Sequence, residues 1–547
     1  TVKHEGIERK RGEHSTPFML TTRSVTNAMP RQAGNSSESR ISRRSFLGAA
    51  GASVGAMVAT GTATAYHDKY NVYNVVEEGA DNTGEESITG VLEDIAYGED
   101  RVAFEFPPGE YLMDRQFRKT GFEKIGMFGD DAAIKPAPAD EFEGPARLFK
   151  LGTYASPADW VRVQNIDFDF TEPNTGLRAL QIQANDLYVD NVHCRGQHDT
   201  GTWGPYLFDV LDPDRIGAVW NVSARGGGKY ASNTSNDHYP AVAGSDGPTG
   251  IIVTPSHEGK IWFKNCELGG FPGNGLYSSG PRGTVVVKGG EYRNSNVANI
   301  RLDGDHCYVK DTRIVVDESR EKDRNQRGIR LDQGDDFWVY DTEIEMPSCT
   351  GEAIRVTNGA QSADIQEVSI TIDDDQGAED AIAVSPGAGN VRIFDSDIEM
   401  RQGGQAIEIQ PYDGDWAPAL VENVTITGDA DGGFGGSHAI RCERAGTRLY
   451  DLTVDQPGDD YRRCLSIDAN ECRVAFGEFY STHHPIVNHG SGTVITDLEA
   501  KAYNGLEAVK ALGGEEDVGI YNSVLYNGID TVGGANPATS GNEYPDT

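Results

Sequence analysis

The sequence predicts an all-β protein, a single-stranded right-handed parallel β-helix (solenoid) with an N-terminal capping helix. Three observations carry that expectation. One template recurs along most of the chain: a short strand, a Gly-containing turn, a second strand, an Asn or Asp, and a third apolar strand. The Asn or Asp recurs with it, most often about 25 to 30 residues after the last. Finally, 66 glycines in 547 residues supply turns throughout. Such a period belongs to repeat architectures, where each unit buries its apolar side only against its neighbours. A β-sandwich competes, but it would show hairpin turns such as Asn-Gly and would not repeat one template.

Residues 1–65 read as an address. Ser42-Arg43-Arg44-Ser45-Phe46-Leu47 precedes small and apolar residues from Gly48 to Thr62, and Ala63-Thr64-Ala65 closes the segment. Twin arginines, a weakly hydrophobic stretch and an A-x-A site, in that order, are the parts of a twin-arginine export signal. Gly51, Gly55 and Gly61 argue against a membrane anchor, so no stable insertion is expected once the signal is removed. Met29, 14 residues before the arginine pair, is the expected translation start, with residues 1–28 an upstream extension. The mature chain is then secreted and begins near Tyr66.

Residues 66–115 form the opening of the fold. Val75-Val76-Glu77-Glu78-Gly79-Ala80-Asp81-Asn82-Thr83-Gly84 leads to an amphipathic segment ending near Tyr97, then to Phe106-Pro107-Pro108-Gly109-Glu110-Tyr111-Leu112. An open coil end is an unpaired strand edge and must be covered. This order of extended segment, Gly-Ala-Asp turn, lidding helix and Phe-Pro-Pro-Gly-x-Tyr strand resembles the opening of the pectate-lyase-like superfamily of right-handed β-helix proteins. The resemblance is specific here and general over about residues 70–525. It implies the fold and a frequent substrate class, polysaccharides, but not one reaction.

Coils are expected over residues 116–527. Their short strands open as Ile300-Arg301-Leu302-Asp303, Ile329-Arg330-Leu331-Asp332, Ala353-Ile354-Arg355-Val356, Ala381-Ile382, Ala406-Ile407, Ala439-Ile440 and Leu465-Ser466-Ile467, with Leu180, Ile251 and Leu276 upstream. The corner residue recurs as Asn165, Asn191, Asn221, Asn265, Asp311, Asp341, Asp395, Asn423, Asp451, Asp497 and Asn522. Both residue types tolerate the left-handed conformation of a tight corner. The period is interrupted over about residues 196–250, an insertion carrying His198, Trp203, Tyr206 and Asp237-His238-Tyr239. The Gly/Asn/Pro-rich tail, residues 528–547, is expected to be loose.

Composition narrows the function. With 85 acidic against 48 basic residues the formal charge is −37, which excludes a nucleic-acid binder working through a basic surface. Beyond the N-terminal segment no apolar run reaches the roughly 18 residues of a membrane span. Only 15 of the basic residues are Lys and 33 are Arg, a balance typical of proteins in brine. At molar salt the Debye length of about 3 Å screens the self-repulsion. Seven cysteines without a CxxC motif point to buried thiols, with at most one or two bridges, not to a zinc site.

Alternation along each short strand exposes Arg301, Arg330 and Arg355 in one column, beside Asp303 and Asp332. Carboxylates on adjacent rungs would lie about 5 Å apart, as in a retaining glycosidase. Asp303 and Asp332 are therefore the expected acid/base pair, with His257 the best histidine for proton transfer. A calcium ion between the carboxylates is the one cofactor this pattern suggests. Arg301, Arg330, Arg355, Tyr277, Trp203 and Tyr206 are the expected substrate-binding groups, arginines gripping an acidic group and aromatics stacking on sugar. Arg and Asp alternating on a sheet also form ion pairs that need no substrate. Two motifs fail on position: Gln333-Gly334-Asp335-Asp336 and Asn488-His489-Gly490 are similar to polygalacturonase elements but fall in the wrong places. The Trp-Ile-Asp-His of calcium pectate lyases is absent. The expectation is a secreted protein that binds an extracellular, acidic polysaccharide and cleaves it as a lyase or glycoside hydrolase. The alternative is a non-catalytic surface, adhesion or matrix protein with the solenoid as a rigid scaffold.

Overall fold

Short strands stack like on like. Ile300 pairs in parallel with Ile329 and Ile329 with Ile354, so Arg301, Arg330 and Arg355 share one register. Ile300, Leu302, Ile329, Leu331, Ile354 and Val356 are all fully buried. A slip of one residue would turn the arginines inward and the apolar set outward, which is why the register holds. A computed structural model of the chain describes residues 69–234, 247–373, 379–402, 404–414, 416–431, 438–459, 461–513 and 517–547. Over these the strands form a parallel β-solenoid of about 16 turns. The export signal, the Met29 start and Asp237-His238-Tyr239 lie outside the described residues.

In most coils the second and third strands run as one bent strand. Phe337–Met346 is an example, and it bends at Asp341, whose φ is 48°. All eleven corner residues read from the sequence have positive φ, between 48° and 57°. In three coils other residues hold the corner: Gly289 pairs in register beside Asn265, Glu367 beside Asp341, and Phe476 beside Asp451. Side-chain amides join some corners, as where Asn191 Nδ2 donates to Asn165 Oδ1 at 3.0 Å and Asn423 Nδ2 to Asp395 Oδ1 at 2.8 Å.

At the start, the helix Thr89–Ala96 buries Leu92 and Ala96 in the continuous core. Asp81 organises the preceding turn. Its carboxylate accepts the Glu86 and Glu85 N–H groups and the Thr83 hydroxyl, which hold it well below the usual carboxylate range. At the other end the structure differs from expectation. The tail is not loose: Ile529–Val532 pairs with Val509–Leu512, and Ala538–Ser540 with Gly519–Tyr521. Gly528, Gly533, Gly534 and Gly541 have positive φ and serve its turns, Asn542 bonds the Ser523 N–H and the Ile520 carbonyl, and the edge of the last coil offers main-chain partners that composition does not reveal. All seven cysteines are buried and free. Among the described residues no helix is long and apolar enough to cross a membrane.

Candidate functional site

The short strands present one outward position, rung after rung. It carries Arg118, Lys150 and Gln181 near the start, Tyr277, Arg301, Arg330 and Arg355 in the middle, and Glu408 and Arg441 further on. Rungs follow at about 4.8 Å, so these groups form a continuous strip.

In the middle of the strip the expected acids meet, but in unequal roles. Arg301 Nε and Nη2 both donate to Asp332 Oδ2 at 2.6 Å, and Arg330 Nε donates to Asp332 Oδ1 at 2.6 Å. The Thr357 hydroxyl adds a bond to Oδ1 at 3.2 Å, and Asp332 is only 5% exposed. Both of its oxygens already face guanidinium charge, which a calcium ion would have to displace. Asp303, one rung earlier, is half-buried and accepts the Gln333 N–H at 3.2 Å. Burial first, then the charge of Asp332, raise its pKa against the pull of Arg301 and Arg330. Tyr277 lies flat beside Arg301, with the guanidinium carbon 4.4 Å from the ring centre. Arg355 turns away to Glu352 at 3.0 Å.

Three other expectations need correction. His257 is fully buried. Its Nδ1 accepts the Val210 N–H at 3.0 Å and its Nε2 donates to the Thr284 carbonyl at 3.3 Å. Burial lowers its pKa to about 4, so it is a neutral strut between coils, out of reach of substrate. Tyr206 is also fully buried; it stacks on Phe208 and its hydroxyl donates to the Ser223 carbonyl. Its parity on the strand points it into the core. Trp203 is exposed, but it does not overhang Arg301 and Asp303. Its ring lies over Arg178 at 4.7 Å and Arg147 at 6.0 Å, near the start of the strip. The later limb of the insertion is tied elsewhere, with the Tyr230 hydroxyl on Asp323 and Arg320 Nη1 on the Gly270 carbonyl.

The structure also assembles carboxyls that the sequence reading passed over. Glu352, Asp380, Gln405 and His438 stand two residues before the paired positions Ile354, Ile382, Ile407 and Ile440, and so stack in a second column. Glu352 accepts Arg327 at 2.5 Å and Arg355 at 3.0 Å. Burial works against it, but these two guanidiniums hold it below the usual carboxylate range. Asp380 takes the Gln405 N–H at 2.7 Å. Burial, with the charges of Glu408 and Glu352 added, pushes it up to about 7. Burial raises Glu408 as well. The signal was present: an ionisable or amide residue precedes each Ala-Ile opening, at Glu352, Asp380, Gln405 and His438.

A groove of about 620 Å³ lies on another side, lined by His193, Arg195, Arg225 and Glu267 near the roots of the insertion. Far along the coil His484, Glu507 and Asp530 bring ligand atoms within 4.8 Å of one another, but Lys510 Nζ already lies 3.4 Å from Asp530.

With this geometry in hand, the chain can be set beside known proteins. No family model matches it, and no curated protein does. Solved structures do. The tailspike of E. coli bacteriophage HK620, as a mutant, is similar over 87% of this chain and 81% of its own, at 10% identity and a TM-score of 0.39. The A-module of Azotobacter vinelandii mannuronan C-5 epimerase AlgE4 is similar over 86% of this chain and 99% of its own, at 10% identity and a TM-score of 0.33. PfbA, a surface adhesin of Streptococcus pneumoniae, is similar over 87% of this chain and 93% of its own, at 10% identity and a TM-score of 0.29.

Proposed function

We propose that the protein binds an extracellular polysaccharide along the short-strand face and cleaves it there with paired carboxyls. The observation that carries this reading is the pair Glu352 and Asp380: one rung apart, the first clamped by Arg327 and Arg355, the second raised to about 7. Two neighbouring carboxyls shifted in opposite directions are what acid and base roles require. Asp380 is the general acid, giving its proton to the bridging oxygen as the glycosidic bond breaks. Glu352, ionised, takes a proton either from the water that attacks the sugar carbon, giving hydrolysis, or from the carbon next to the sugar's carboxylate as a C=C bond forms, giving elimination. Asp303 beside the doubly clamped Asp332 repeats the arrangement two rungs earlier and is the second acid to test. Along the same face Tyr277, partly exposed, offers a ring that can stack on a sugar. The export signal read in the first 65 residues supports an extracellular setting.

A scaffold without chemistry has its own supporting observation. Asp332 is saturated by donors, as in a rod whose outward charges hold one another. A polysaccharide panel at high salt separates the two, scored for new reducing ends (hydrolysis) and for unsaturated products (elimination). Cleavage that Asp380→Asn lowers at least 100-fold, with glycan binding kept, supports the enzyme. Cleavage lost only in Asp303→Asn moves the acid to that residue. Binding without cleavage of any glycan leaves the scaffold.

A further inference from the structure

Nearly every arginine in the middle and later parts of the strip faces a carboxylate. Arg301, Arg330, Arg355 and Arg441 each make an ion pair. The start of the strip breaks this rule. Arg118 pairs in register with Lys150, and Arg147 with Arg178 on the next rung. Among the described residues none of these four cations makes an ion pair, in a chain carrying a net charge of −37. After burial, the charges that act on Lys150 are those of Arg147, Arg118 and Arg178, all of which lower its pKa. Arg178 is 3% exposed; burial, then Arg147, bring it down to about 9. Its charged counterweight, Asp209, is reached only through a relay. Arg147 and Arg178 donate to Gln181 Oε1, Gln181 contacts Gln183 at 3.5 Å, and Gln183 donates to Asp209 Oδ2 at 2.9 Å.

Beside these cations stands Trp203, 46% exposed. The loop that carries it is built in place. His198, buried and neutral with a pKa near 4, donates to the Trp203 carbonyl at 2.7 Å. Arg178 Nε donates to the Gly204 carbonyl at 3.2 Å. Gly204 is itself obligatory, because a Cβ there would lie 1.5 Å from the Thr249 carbonyl oxygen. Holding four like charges together costs free energy that Asp209, which among the four acts on Arg178, returns only in part, so an anion from outside is the missing partner.

We propose that Arg118, Lys150, Arg147 and Arg178 form a binding site for the anionic group of a charged sugar, with its ring seated on the open face of Trp203. This rests on the reading that the short-strand face binds polysaccharide, and it names the chemical class: a glycan bearing carboxylate or sulfate. The two sources share one chemistry, oxygen anions gripped by guanidinium and ammonium groups. Trp203 supplies a flat apolar surface that a neutral ring also uses.

The test uses the secreted chain and three glycans of matched length, one polyuronate, one sulfated and one neutral, over a salt series. The wild type is expected to bind one anionic glycan at least 10-fold tighter than the neutral one, with the ratio falling as salt rises. Whichever anionic glycan wins names the source. Arg118→Gln with Lys150→Gln, both at outward positions, is expected to abolish that ratio at an unfolding midpoint no lower than the wild type's. Trp203→Ala is expected to weaken anionic and neutral binding alike. Equal binding of all three by the wild type, or a ratio that survives the double substitution, overturns the anion site while the polysaccharide reading stands. Failure to bind any of the three overturns both.

Discussion

Asp380 shows how far a single residue depends on its surroundings. Its carboxyl is raised to about 7 by burial and by Glu408 and Glu352, against about 3.9 in an unfolded chain. A raised carboxyl contributes stability that is complete below the unfolded value and is lost as pH climbs through the folded one. Asp380→Asn is therefore expected to flatten the fall in stability between about pH 4 and pH 7, read from unfolding midpoints. An unchanged profile would show that Asp380 is not the titrating group. Cleavage, needing the protonated acid, is expected to fade above about pH 7 in the wild type. His257 has the opposite character. Replacing it with Ala leaves the Val210 N–H without its acceptor, which should cost about 1 to 3 kcal/mol, while the pH dependence of cleavage stays as it was. Asp303 and Asp332 were legible because strand parity turns both to the outward side. That Asp332 would be locked and Asp380 kept protonated was not, since both depend on charges from other rungs.

At the scale of the element, the corner decides. An L-residue with a side chain pays roughly 1 to 2 kcal/mol to sit in the left-handed region, a cost that Asn and Asp partly avoid. Phe476, 56% exposed at φ 59°, sits there without compensation. Phe476→Asn is expected to raise stability by about 1 kcal/mol, seen as a higher denaturant midpoint. Asn191→Ala should lower it by about 1 to 2 kcal/mol, because it also loses the amide bond to Asn165. No change in either variant would mean that the corner is not strained. The corners were readable wherever the chain used Asn or Asp. Gly289, Glu367 and Phe476 were not, because stacking between correctly bent neighbours forces the same angle on whatever residue stands between them.

The solenoid is quasi-one-dimensional: each coil touches mainly the next. Deleting residues 528–547 should bare the edges at Val509–Leu512 and Gly519–Tyr521. Amide exchange is then expected to quicken in the last coils only, with glycan binding at the start of the strip unchanged. A loss of binding would show that the coils fold as one unit. The sequence by itself determined the solenoid, its corners, the parity of each short strand and the column of arginines. These follow from local periodicity, and a repeat copies local rules from rung to rung. Only the tertiary structure decided which outward charges are spent on one another and which are left over. Arg301 and Arg330 look like substrate ligands in sequence, yet Asp332 holds them. Arg147 and Arg178 look unremarkable, yet they stand unpaired beside Trp203. Ion pairing is a property of neighbours across rungs some 25 residues apart, and the turn lengths that set those neighbours are not periodic.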